Sequence, residues 1–88
     1  MNAPFKPNTM TLDELPVGQC ALIASIDWDS LDHGEACRLK HFGFDDGIAV
    51  EPLHLGPFGR DPLAVRVGRM IVAIRRTQAR AVRVTPAR

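Results

Sequence analysis

The sequence predicts a mainly β domain, with about five short strands closed into a small barrel or packed as a sandwich and little helix. Three observations predict it. Apolar and polar residues alternate over five short runs between Ala21 and Thr85, the period of a half-buried strand. Turn residues separate those runs, which recur at roughly 8–12-residue spacing. The chain has 88 residues, enough to bury one core but not two. Hydrophobic residues make up 45%, a globular rather than a disordered composition. Closing the sheet would also remove the edges that five open strands expose.

Residues 1–10 carry Asn2, Pro4, Pro7 and Asn8 without periodicity and are expected to form a flexible leader, with the domain spanning 11–86. Thr11 and Glu14 have the spacing of a capping box around Leu12 and Leu15, and Pro16 limits that helix to about one turn. Ala21 and Ile23 then share one strand face and Leu22 and Ala24 the other, while Ile26 breaks the parity and predicts a bulge near Ser25. A helix follows, capped by Ser30 or Asp32, with Ala36, Leu39 and Phe42 or Gly43 on one stripe and Gly43 ending it. Asp45-Asp46-Gly47 is a turn. In the next strand Ile48, Val50 and Pro52 share a face, and Pro52 argues for an edge or a strand end. Gly56–Pro62 reads as a loop. Leu63, Val65 and Val67 form the inner face of a strand, and Gly68-Arg69 reverses it into Met70, Val72 and Ile74. Thr77–Ala81 allows one helical turn before Val82 and Val84.

The net charge of +1 is a cancellation. Residues 1–59 hold three basic and nine acidic side chains, a net −6, whereas residues 60–88 hold eight arginines and Asp61 alone, a net +7. Such asymmetry raises the question of a nucleic-acid surface. The stacking aromatics of such surfaces are missing, since there is no Tyr and no Phe or Trp follows Gly59, so no nucleic-acid partner is expected. Arg66, Arg75 and Arg83 instead fall opposite the apolar parity of their strands and face outward, a solvated exterior or a surface for an acidic protein partner.

Catalysis finds no support. Neither Ser25 nor Ser30 lies in a Gly-x-Ser-x-Gly elbow, and no P-loop is present. Cys20 sits in an apolar run and is expected in the core. Two cysteines fit a reducing compartment. No apolar run approaches the ~20 residues of a membrane span, and no secretory apolar stretch opens the chain, so a cytoplasmic location without membrane insertion is expected.

His33, Glu35, Cys37 and His41 gather within HGEACRLKH. On a helix, Cys37 and His41 are one turn apart and make a two-ligand pair for a divalent transition metal, zinc or iron; Glu35 lies on another face of that helix, and His33 or a residue from a second chain would complete the site. The same residues also read as surface histidines and a small buried cysteine, and no cofactor is required. Phe58, in a Gly/Pro-rich loop, joins Arg66, Arg75 and Arg83 as a candidate partner contact; Phe42 and Phe44 are expected in the core, and Trp28 at one end of the barrel.

The string Arg38-Leu39-x-x-Phe42-Gly43-Phe44-x-x-Gly47-x-x-Val50 resembles a segment of the ferrous iron transport protein A (FeoA) family. The resemblance continues through Pro57-x-Gly59-x-Asp61-Pro62, Val65-x-Val67, Val72-Ala73-Ile74-Arg75 and Gln78-Ala79-x-x-Val82-x-Val84, with Leu12-x-x-Leu15-x-x-Gly18 and Ile23 upstream. It implies an SH3-like β-barrel with a short helix between the first two strands. It also implies a small cytoplasmic accessory that binds and regulates the cytoplasmic domain of a FeoB-type ferrous iron permease. A related domain in iron-dependent repressors keeps a second reading open, a module that binds a divalent metal and changes its assembly; a homo-oligomer is compatible with either. Two departures stand out. Arg60 is inserted in the Gly-Asp-Pro loop, and Gln78 replaces a common acidic residue, which puts in doubt any contact that the acid normally makes.

Overall fold

The computed structural model describes residues 9–57, 59 and 61–87. Six antiparallel strands form one sheet: β1 (Met10–Thr11), β2 (Ala21–Ile26), β3 (Ala49–Leu55), β4 (Leu63–Val67), β5 (Met70–Ile74) and β6 (Val82–Pro86). The helix α1 (His33–His41) lies between β2 and β3, and a single turn, α2 (Arg76–Ala79), lies between β5 and β6. The strand order is β1-β6-β2-β3-β4-β5. This corrects the expected barrel of about five strands in two respects. The sheet is open, because β1 pairs with β6 rather than with β5. The helix follows the second strand, not the first, because Met10 and Thr11 form a leading strand opposite Val84 and Arg83. Of the expected leader, residues 1–8 lie outside the described residues.

The alternation read from the sequence sets the core. Leu63, Val65 and Val67 of β4, Val72 and Ile74 of β5, Val82 and Val84 of β6 and Ala21 and Ile23 of β2 are buried together with Leu12, Leu15, Leu39, Phe44 and Val50. Full burial of a side chain of this kind is worth about 1.5–3 kcal/mol, so this cluster dominates the stability. The bulge expected near Ser25 is present as a register shift between Ile23 and Ser25 against β6.

Pro52 is a more instructive case. β3 lies inside the sheet, yet its pairing with β2 stops after Val50 and Ala49. The Pro52 carbonyl accepts from the Gly18 N–H at 2.8 Å, on the side where β2 no longer runs. The amide nitrogen and carbonyl of one strand residue point to the same side, so the missing N–H falls at a local edge and costs no ladder bond.

α1 is specified at both ends. The Asp32 carboxylate accepts from the Glu35 N–H at 2.8 Å, and Glu35 Oε1 accepts from the Asp32 N–H at 3.1 Å, a reciprocal capping box. At the other end Gly43, at φ 93°, takes the left-handed position. The Gly43 N–H then donates to the Lys40 carbonyl and the Phe44 N–H to the Leu39 carbonyl, both at 3.0 Å. This is a Schellman closure, and it brings buried Phe44 against buried Leu39. The β3–β4 loop folds equally tightly: a Cβ on Gly56 would lie 2.4 Å from the Asp61 carbonyl oxygen, so only glycine fits.

Leu39→Ala is expected to lower the unfolding free energy by about 2–5 kcal/mol, the range for emptying a fully buried leucine site. Gly43→Ala is expected to cost about 1 kcal/mol through its positive φ alone. Urea unfolding followed by circular dichroism measures both.

Candidate functional site

The metal-type residues of α1 do not converge on one point. His33 Nε2 and Cys37 Sγ are 3.5 Å apart, and both residues are exposed. The pair that forms is thus His33–Cys37, one turn earlier than the Cys37–His41 pair expected. Eight residues of helix rise about 12 Å between His33 and His41, too far for one ion to take both with bonds of about 2 Å. Glu35 is spoken for. Its Oε1 caps the helix, and its Oε2 lies 3.5 Å from the amide nitrogen of Gln78. Among the described residues no three His, Cys, Asp or Glu side chains are grouped to hold a metal. Both cysteines are exposed and free. That corrects the reading of Cys20, which precedes β2 and escapes its alternation, and the reading of Cys37 as a buried hydrophobe.

The aromatics divide as their positions dictate. Phe44 is buried. Phe42 is half-buried, with the Arg38 guanidinium 5.6 Å from its ring centre. Trp28 is half-buried against the core, with Lys40 Nζ 5.0 Å from its ring centre. The expectation for Phe58 falls outside the described residues.

Part of the charge asymmetry is neutralised within the fold. The Asp13 carboxylate, 9% exposed, lies 3.6 Å from Nε of both Arg76 and Arg80, joining the acidic first half to the arginine-rich second. At that distance the attraction is ionic, and Arg76 Nε remains a buried donor without a hydrogen-bond acceptor among the described residues. Asp61 Oδ1 accepts from the Arg76 N–H at 3.0 Å, and Gln78 Oε1 from the Arg75 N–H at 2.9 Å. Arg66 pairs with Glu51 across β3 and β4 at 3.1 Å, an exposed contact worth little. Sequence reasoning missed the Asp13 and Gln78 contacts, because residues 43 and 63 or more positions apart in the chain meet only after the sheet forms.

Arg69, Arg75 and Arg83 are exposed and make no ion pair among the described residues. They do not form one patch. Arg83 lies on β6, opposite Thr11 and Ser25, whereas Arg66 and Arg75 lie at the other end of the strand order. Between Arg66 and Arg75 the outer face presents Ile71, 62% exposed, and Ala73. Beside them a shallow depression is lined by Arg38, Pro62, Ala73, Ile74, Arg75 and Gln78. A second, at the C-terminal end of α1, is lined by Trp28, Lys40, Gly43, Phe44, Asp45 and Ile48. Arg38 and Ala73 entered the sequence reading only as positions of the family resemblance, not as surface residues, and Ile71 carried no signal of its own. The nearest signal was the run Met70–Ile74, which contains no charge and no proline.

The chain belongs to the FeoA domain family, whose model matches residues 10–86. Members are linked to ferrous iron transport as small accessory domains and are not a known class of enzyme. The chain is similar to the Stenotrophomonas maltophilia FeoA complexed with zinc (35% identity, 90% of this chain and 96% of that one, TM-score 0.75). That protein is described as a prokaryotic SH3 domain protein and suggested as a ferrous iron transport activating factor. The chain is also similar to FeoA from Chlorobium tepidum (26% identity, 90% of this chain and 71% of that one, TM-score 0.78). A manganese-dependent transcriptional repressor in complex with manganese shares the fold (18% identity, 96% of this chain but 39% of that one, TM-score 0.80). No curated protein matches the sequence. No helix among the described residues is long and apolar enough to cross a membrane.

Gln78 is 4% exposed and bonded at both ends of its amide. Gln78→Ala is expected to cost about 1–3 kcal/mol, because it strands the Arg75 N–H. Gln78→Glu, which sets a second carboxylate against Glu35, is expected to lower the melting temperature at neutral pH and to regain part of the loss in acid, where one carboxyl is protonated. Thermal melts at the two pH values measure this.

Proposed function

We propose that the protein is a small cytoplasmic accessory of bacterial ferrous iron uptake that docks on the cytoplasmic domain of a FeoB-type transporter and regulates it. The observation that carries this reading is Arg75, exposed and without an ion pair among the described residues, beside solvent-facing Ile71 and Ala73 on a domain of this family. An apolar patch rimmed by unspent positive charge suits a protein partner, since the charge speeds encounter and the apolar area holds the complex. Shallow depressions serve substrate chemistry less well, because a reacting group there stays in water.

A second reading, a divalent-metal-responsive module that changes its assembly, draws on the His33–Cys37 pair. Two donors on one helix face supply half of a tetrahedral site. A second copy contributing the same pair would complete it. The zinc in the Stenotrophomonas relative is compatible with such a role.

Capture of the purified cytoplasmic domain of the permease measures the first reading. Wild type is expected to bind and Arg75→Glu to bind about tenfold more weakly, with the difference shrinking at high salt. Failure of wild type to bind would remove the reading. Sedimentation with and without zinc measures the second. Zinc is expected to shift wild type, but neither His33→Ala nor Cys37→Ser, to a dimer, and an unchanged mass on zinc addition would dispose of it.

A further inference from the structure

We propose that the free edge of β5 is a strand-docking seam for an extended acidic segment of a partner protein, with a carboxylate of that segment seated between Arg38 and Arg75. This rests on the reading of the chain as a partner-binding module and names the surface involved.

β5 is the last strand in the order and pairs with β4 alone. The two-residue turn Gly68-Arg69 makes Val67 and Met70 the first hydrogen-bonded pair of the hairpin. In an antiparallel ladder such pairs recur at every second residue. Val72 and Ile74 therefore bond to β4, and the N–H and C=O groups of Ile71 and Ala73 point away from the sheet. Neither residue makes another hydrogen bond among the described residues. The seam ends at Arg75, whose N–H is taken by Gln78 Oε1. What remains open is a two-residue step that an added strand of about four residues would satisfy.

Edges of this sort are normally blunted by lysine, proline or a bulge. Here the strand is Met-Ile-Val-Ala-Ile, with Met70 47% and Ile71 62% exposed. Its protection is moved to the flanks, where Arg69 and Arg75 stand at the two ends. That charge selects the occupant. Full-length antiparallel pairing of two copies through β5 would set Arg69 of each opposite Arg75 of the other, a like-charge arrangement that opposes self-pairing. The carboxylates on the adjoining elements are committed, Glu51 to Arg66 and Asp61 to the Arg76 N–H. An incoming segment with small or apolar side chains over Ile71 and Ala73 and an acidic residue at one end meets both demands. Its acid would reach the depression lined by Arg38, Ala73 and Arg75 at the end of the seam.

The experiment uses two probes: the immobilised cytoplasmic domain of the permease, and short synthetic peptides of alternating Val and Thr ending in Asp-Glu or in Lys-Lys. Ala73→Pro removes only an outward N–H and leaves the β4 ladder intact. Ile71→Glu adds charge to an exposed position and serves as the second variant should Ala73→Pro fold poorly. Wild type is expected to bind the acidic peptides at least about tenfold more tightly than the lysine ones, with slowed amide exchange at Ile71 and Ala73. Both variants are expected to lose that binding. Equal binding of the two peptide sets, no binding of either, or protection elsewhere would overturn the proposal, as would a dimer that Ala73→Pro dissolves. Capture of the permease domain unchanged by folded Ala73→Pro overturns the seam and leaves the transporter reading standing. Peptide binding at β5 without capture of that domain does the reverse.

Discussion

One turn of helix, α2, holds together parts of the molecule that no strand pairing connects. Its amide end is closed by Asp61 from the β3–β4 loop, and its cationic side chains face Asp13 from the turn after β1. Gln78, at its centre, caps Arg75 on one side and reaches Glu35 of α1 on the other. Four residues have no helical stability of their own, since nucleation is never repaid over so short a length. The turn exists because tertiary contacts order it. In return it fixes the angle at which the chain leaves β5 and enters β6 at the far side of the sheet. α2 thus sits where the chain passes from β5, at one end of the strand order, to β6, beside β1 at the other.

The same turn explains why the charge asymmetry of the sequence is a poor guide to the surface. Arg76 and Arg80 belong to the basic second half and Asp13 to the acidic first half, and they meet across α2. Arg66 meets Glu51 across two strands. After these pairings the arginines left without an ion pair among the described residues are Arg69 and Arg75 on either end of β5, Arg38 of α1 beside Arg75, and Arg83, three strands away from β4 in the order. An arginine-rich stretch of sequence has become two separate sites of unequal character, only one of them beside exposed apolar side chains.

Gln78 shows how a departure from the family pattern is absorbed. An acid at this position could cap the Arg75 N–H equally well. It could not donate to Glu35, which already uses its other oxygen to cap α1. The amide serves both neighbours at once because it carries an acceptor and a donor. The contact that the amide makes possible is therefore a part-buried one between α1 and α2, made from the same side chain that caps Arg75.

The sequence by itself determined five of the six strands, the caps of α1, the bulge near Ser25 and nearly all of the core, because alternation, capping residues and turn glycines act within a few residues of one another; β1 escaped it, since two residues are too few to show a period. It also determined that Arg66, Arg75 and Arg83 face outward, since strand parity is a local property. Sheet closure was not legible. Closure would need β1, already paired with β6, to meet β5 as well, a contact between strands about 60 positions apart that no local pattern encodes. The metal-type residues illustrate the same limit. Helical spacing allowed Cys37 to pair with His33 or His41, while Glu35 is engaged locally by its cap on Asp32 and, only after folding, by Gln78. Cys20 was misplaced because an apolar neighbourhood in sequence is not burial when the strand begins one residue later. Tertiary structure alone decided which arginines are left without an ion pair and which strand keeps an open edge, since both depend on long-range pairing that periodicity does not encode.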